Sequence, residues 1–301
     1  MIARNIATQS WAHQVLALAL SFLCCFVLGI ALAMAIIPLI SDMSPTAFLS
    51  FTDFSNKGYL QDLIVVQTIY TLATFAAPAF LYAYLANKNI ISQLGFKPAF
   101  NNWQYLWAVL AMLCGLGFVG LIAEWNLKIP MPTSSVAAEK KAEELTKAFL
   151  DIRTVPQLLL TLFYIALLPA IAEELFFRAC LQPILINAFG KHRIAIAIVL
   201  TAVLFGLLHG QMLSILPRIF LGIVLGYIYV YTSSIYPCIL GHFFNNGLQV
   251  FLTYLHKIGK LSIDVNETPN VPLWQGALSL VTCIAALWLV RKFYKPIAVK
   301  V

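Results

Sequence analysis

The chain has 301 residues, of which 61% are hydrophobic and 10% charged, with a mean hydropathy of +0.87 and a formal net charge of +7. A soluble domain carries about 45–50% apolar and about 25% charged residues, so the composition excludes a soluble enzyme and removes the nucleic-acid partner that a positive charge otherwise suggests. The expected fold class is all-α, a polytopic membrane protein with about eight transmembrane helices plus one amphipathic surface helix: several apolar stretches exceed the roughly 18 residues that a span needs, and alternating barrel-type segments are absent.

In chain order, residues 15–40 form an apolar run preceded by Arg4. It exceeds the roughly 7–15 residues of a signal-peptide core, so it reads as an uncleaved first span. Residues 41–62 read as a polar loop carrying Asp42, Asp53 and Asp62 against Lys57. The second span is expected at 63–86. A loop with Lys88 and Lys97 then leads to the third, 103–123, which closes an N-terminal group of three spans over 15–123. The third span holds Gly115, Gly117 and Gly120, formally a GxGxxG. A dinucleotide site needs a strand before that pattern and an acid about 20 positions after it. Neither context exists here, and close helix packing explains the glycines better, as it does Gly222 and Gly226.

Pro130 and Pro132 break the chain before an amphipathic helix expected at 136–152. Ala142, Leu145, Phe149 and Ile152 share one face, and Lys140 with Glu144 and Glu143 with Lys147 stand at i,i+4. Such a helix lies on the membrane surface, as a connector or as a gate over a central cavity. The fourth span, 155–186, is about 48 Å long at 1.5 Å per residue, against a hydrocarbon core of about 30 Å. It must tilt, bend at Pro169 or Pro183, or run beyond the lipid. Spans at 194–209, 213–232 and 235–255 complete a four-span core over 155–255. A polar loop and a last span at 273–290 follow, in one integral-membrane domain over 1–301.

Eight spans put both termini on one side. Lysine and arginine divide evenly between the sides, but every acid outside the fourth span (Asp264 and Glu267 among them) falls opposite the termini. The basic residues on the termini side, including Lys295 and Lys300, sit in short loops and tails, where the positive-inside rule applies best. A multi-pass protein of the cell membrane with both termini cytoplasmic is expected. The six cysteines lie in apolar segments without a CxxC pair and read as reduced core residues.

Chemistry concentrates in three places. Glu173, Glu174 and Arg178 interrupt the fourth span, where buried charge costs several kcal/mol and marks a protein interior or wet cavity. Glu174 and Arg178 are i,i+4 partners, which supports the motif and leaves Glu173 as a spare carboxylate. His209 ends the fifth span; His242, Asn246 and Gln249 form a stripe on the seventh. Together they suit a reaction in which Glu173, aided by His209, takes a proton from water while His242 and Asn246 donate to an oxyanion. A divalent metal such as zinc on Glu173, His209 and His242 is the alternative, and the HExxH pattern is absent. Helix-bridging polar residues, a non-catalytic binding protein and a proton-coupled transporter are the readings without hydrolysis; no inverted repeat supports the last.

Glu173-Glu174-xxx-Arg178, Phe205-xxx-His209 and His242-xxx-Asn246, in this order on successive helices, resemble the three motifs of the CPBP intramembrane proteases. That family includes the type II CAAX prenyl endopeptidases and bacterial relatives linked to bacteriocin processing or self-immunity (the Abi group), and it is often labelled metalloprotease. The resemblance implies an eight-helix fold and hydrolysis of a peptide or lipidated-peptide substrate at the bilayer. In it, Glu173 and His209 activate water, His242 and Asn246 form the oxyanion site, and no cofactor is required. A membrane-bound immunity protein of the same fold that binds without cleaving is the alternative it carries. Oligomeric state is not legible.

Overall fold

The computed structural model describes residues 5–262 and 271–294. Arg4, Asp264, Glu267, Lys295 and Lys300, used in the charge argument above, lie outside the described residues. Among the described residues there are helices and no strands. Seven of the described helices are long and apolar enough to cross a membrane: α1 (Trp11–Ile40), α2 (Lys57–Ala86), α3 (Trp103–Leu127), α5 (Val155–Phe189), α6 (Lys191–Leu208), α7 (Met212–Thr232) and α9 (Leu273–Lys292). Between α3 and α5 lies the amphipathic α4 (Thr133–Phe149). An eighth long helix, α8 (Ile235–Lys257), has 23 residues, enough to span, but His242, Asn245, Asn246 and Gln249 make it less apolar than the other seven. Leu20, Leu23, Val27 and Leu28 on α1 and Trp274, Leu278, Val281 and Trp288 on α9 stand exposed, as lipid-facing side chains do. The protein is a multi-pass membrane protein.

The stretch read as a polar loop between the first two spans contains a short helix, Pro45–Ser50, and α2 begins early, at Lys57. Tyr59 is the reason: its ring packs on Phe48 and Phe51, and its hydroxyl donates to their carbonyls at 3.2 and 3.4 Å. On α4, Glu143 and Lys147 pair at 2.6 Å. Lys140 and Glu144, in the weaker Lys-before-Glu order, form no ion pair.

Cross-connections define the two ends of the bundle. At one end, Gln104 of α3 donates to the carbonyls of Tyr231 and Val290, both at 3.0 Å, and Ile235 N–H donates to Gly95. At the other, Asn126 ties α3 to the start of α7, donating to the Met212 carbonyl and accepting from Leu216 N–H. The described chain begins and ends at the first of these. Gly222 and Gly226 of α7 lie against Ala202 and Ile198 of α6, where an added Cβ would come within 2.9 and 2.7 Å. The two glycines therefore set the α6–α7 approach. Gly117 seats Ser279 of α9 in the same way.

Three times a π-helical turn precedes a proline: Leu72–Ala76 before Pro78, Leu162–Leu167 before Pro169, and Leu175–Leu181 before Pro183. Proline lacks an N–H and its ring collides with the carbonyl four residues back. The wider turn makes room for it without ending the helix. Thus α5 runs unbroken for 35 residues, a little longer than the span expected at 155–186. It packs against α1, α2, α6, α7 and α8.

Candidate active site

Glu173 and Glu174 end the short α-helical segment Leu168–Glu174, held between two of the π turns. Glu174 and Arg178 are both fully buried and pair at 3.0 Å. The Arg178 guanidinium carbon stands 5.5 Å from the centre of the Phe205 ring. Breaking such a pair by removing one partner costs about 3–5 kcal/mol, because the other charge stays buried.

Glu174 has a second partner on α8: His242 Nδ1–H donates to Glu174 Oε1 at 3.0 Å. Glu174 is thus shared by a guanidinium and an imidazole. His209 Nδ1–H donates to the Phe205 carbonyl at 2.7 Å. With both Nδ1 atoms occupied, both Nε2 atoms turn to one point: His209 Nε2 is 3.7 Å and His242 Nε2 3.9 Å from Glu173 Oε2. These separations are too long for direct hydrogen bonds, and spans of this kind are commonly bridged by water. Glu173 is 7% exposed, and its Oε2 accepts no hydrogen bond.

Phe205 is the wedge of the site. Its ring centre lies 4.7 Å from that of His209, 6.0 Å from that of His242 and 5.1 Å from that of Phe177. Asn246 stands one turn after His242 on α8, and its Oδ1 accepts from Asn245 Nδ2 at 3.0 Å. The Asn246 amide nitrogen is left to donate elsewhere.

A cavity of about 220 Å³ joins these groups: Glu173, His209, His242 and Asn246 all line it, with Asn245 and Arg218. All four residues singled out for chemistry meet there, and Glu174 and Arg178 stand directly behind them. Arg218, Asn245 and Asn246 also line a larger adjoining space of about 620 Å³, roofed by Glu143, Thr146 and Lys147 of α4. The roof is latched: Glu139 accepts from Leu213 N–H at 3.0 Å and Ser214 Oγ at 2.7 Å. Ser214 accepts in turn from Arg218 at 2.6 Å, and Arg218 also donates to the Gln211 side chain.

Sequence reasoning missed the Glu174–His242 bond, Asn245 and Arg218. A cation in the first turns of an otherwise apolar span was the available signal for Arg218. The other two needed knowledge of which helices are neighbours.

Among the described residues, no group of three or more His, Cys, Asp or Glu side chains is disposed to hold a metal ion. Glu173, His209 and His242, the alternative metal set, are not such a group, and no step below is routed through a metal.

Comparison with curated proteins and with solved structures gave no match. One family model does match, described as type II CAAX prenyl endopeptidase Rce1-like, over residues 155–248. That span runs from the first residue of α5 into α8 and includes every motif residue of the cavity. The similarity to the type II CAAX prenyl endopeptidase Rce1-like family therefore covers this segment, less than half of the chain.

Proposed function

We propose that the protein is an intramembrane endopeptidase that hydrolyses a peptide bond near the membrane, in a peptide or lipidated-peptide substrate, by glutamate-activated water. The observation that carries this reading is the unspent Glu173 Oε2 faced by two imidazole Nε2 atoms at the wall of one cavity. A water between Glu173 and His209 gives one proton to the carboxylate and donates its other O–H to His209 Nε2. The resulting hydroxide forms a bond to the carbonyl carbon, and the carbonyl pair moves to oxygen. Asn246 and His242 donate to that oxyanion. For His242 to donate from Nε2 while its Nδ1–H is on Glu174, the ring carries both protons, a charge that Glu174 matches. Collapse then breaks the C–N bond, and Glu173 returns its proton to the leaving amine. Arg178 holds Glu174 in place.

This scheme requires no metal or other cofactor. We further propose the cell membrane as its location, with both termini cytoplasmic.

The test is Glu173→Gln in purified protein, with a quenched-fluorescent lipidated peptide as substrate. A lost general base costs about 10²–10⁴-fold, so kcat/KM is expected to drop by at least 10²-fold with the thermal midpoint unchanged. Cleavage at the wild-type rate would overturn the glutamate mechanism. No cleavage by either protein, with tight peptide binding by both, would favour the non-catalytic immunity-type reading.

A further inference from the structure

A second cavity, of about 580 Å³, lies at the opposite end of the bundle from the roofed space. It forms where the α2–α3 loop, the last turns of α5, the start of α6 and the end of α7 meet Tyr294. Its polar rim carries Lys97, Lys191, Asn187 and Tyr294, while Ile186 and Ile194 are part of an apolar wall. Lys97 and Lys191 are exposed and, among the described residues, pair with no carboxylate. No Asp or Glu is among the described residues that line the cavity. Beyond the cavity, the described residues of the same end include Lys88, Arg193, Arg291 and Lys292 and no acid.

Two ammonium groups without a described carboxylate partner, over an apolar wall at the termini end of the bundle, form an amphiphilic site with one sign of charge. A neutral molecule would leave the lysines unmatched, and a small soluble anion would leave the apolar wall uncovered. We propose that this cavity binds an anionic glycerophospholipid of the leaflet on the termini side, its phosphate between Lys97 and Lys191 and an acyl chain along Ile186 and Ile194. Basic pockets between membrane helices recognise headgroups in this way. The site shares the last turns of α5 with the catalytic helix but does not depend on the proposed chemistry.

The experiment compares wild type with Lys97→Gln/Lys191→Gln in detergent, titrating phosphatidylglycerol, phosphatidylcholine or inorganic phosphate. Thermal midpoints and lipid adducts in native mass spectra are the readouts. Phosphatidylglycerol is expected to be retained and to raise the wild-type midpoint, and the double substitution to weaken its binding about 30-fold. A control that removes two charges outside the cavity, Lys88→Gln/Lys292→Gln, is expected to bind as wild type does. Equal retention of the two lipids, equal loss in the control, or the same shift from inorganic phosphate alone would overturn the lipid site.

Discussion

Asn245 holds the Asn246 carboxamide by its oxygen, which decides what Asn246 presents to the cavity. Without that donor the amide is free to turn and offer an oxygen, which repels an oxyanion. Asn245→Ala is therefore expected to lower kcat about 10-fold or more, less than the roughly 10²–10³-fold that losing an oxyanion donor outright costs. KM and the thermal midpoint should be unchanged; steady-state kinetics on the lipidated peptide reads the difference. Much of the residue-scale site was legible, because a charge inside an apolar run is conspicuous and helical spacing fixes who can reach whom. That logic gives Glu174 with Arg178 and leaves Glu173 over. It cannot give Glu174 with His242, two residues 68 apart in sequence on different helices.

At the scale of elements, the α6–α7 pair depends on two glycines. A Cβ on Gly222 would meet both the side chain and the backbone of Ala202, at 2.9 and 3.1 Å, so the neighbour cannot yield by rotating a side chain. Gly222→Val is expected to destabilise the protein by about 1–3 kcal/mol, as overpacking does, seen as a lower denaturation midpoint in detergent. It should also shift His209, at the end of α6, relative to Arg218 on α7 and so reduce cleavage. The glycine spacing announced close packing in the sequence, though not which helix would be met. The π turns were hidden for another reason. Prolines mark where a helix is under local stress, but nothing in their spacing says that the turn before them widens.

For the whole molecule, the cavity and its roof open at the end opposite the described termini. Cytoplasmic termini would turn the proposed reaction centre to the outside of the cell membrane. A green fluorescent protein fused after Val301 is expected to fluoresce in cells, and alkaline phosphatase at the same point to be inactive. The reverse pattern would put cleavage on the cytoplasmic side. Seven of the eight expected spans are helices long and apolar enough to cross a membrane; α8 is the exception, since the polar residues that spoil its apolar character are the ones that line the cavity.

Glu174 shared between Arg178 and His242 has an electrical consequence. With His242 carrying both ring protons, the two carboxylates and the two cations sum to zero. In the proposed reaction, attack by water only relocates one negative charge, from Glu173 to the nascent oxygen held by His242, whose Nε2 lies 3.9 Å from Glu173 Oε2. Moving an elementary charge across the whole membrane is worth about 2.3 kcal/mol per 100 mV. A 4 Å shift within a layer of about 30 Å therefore feels at most about 0.3 kcal/mol, and the bond-breaking step runs almost independently of whether the cell is energised.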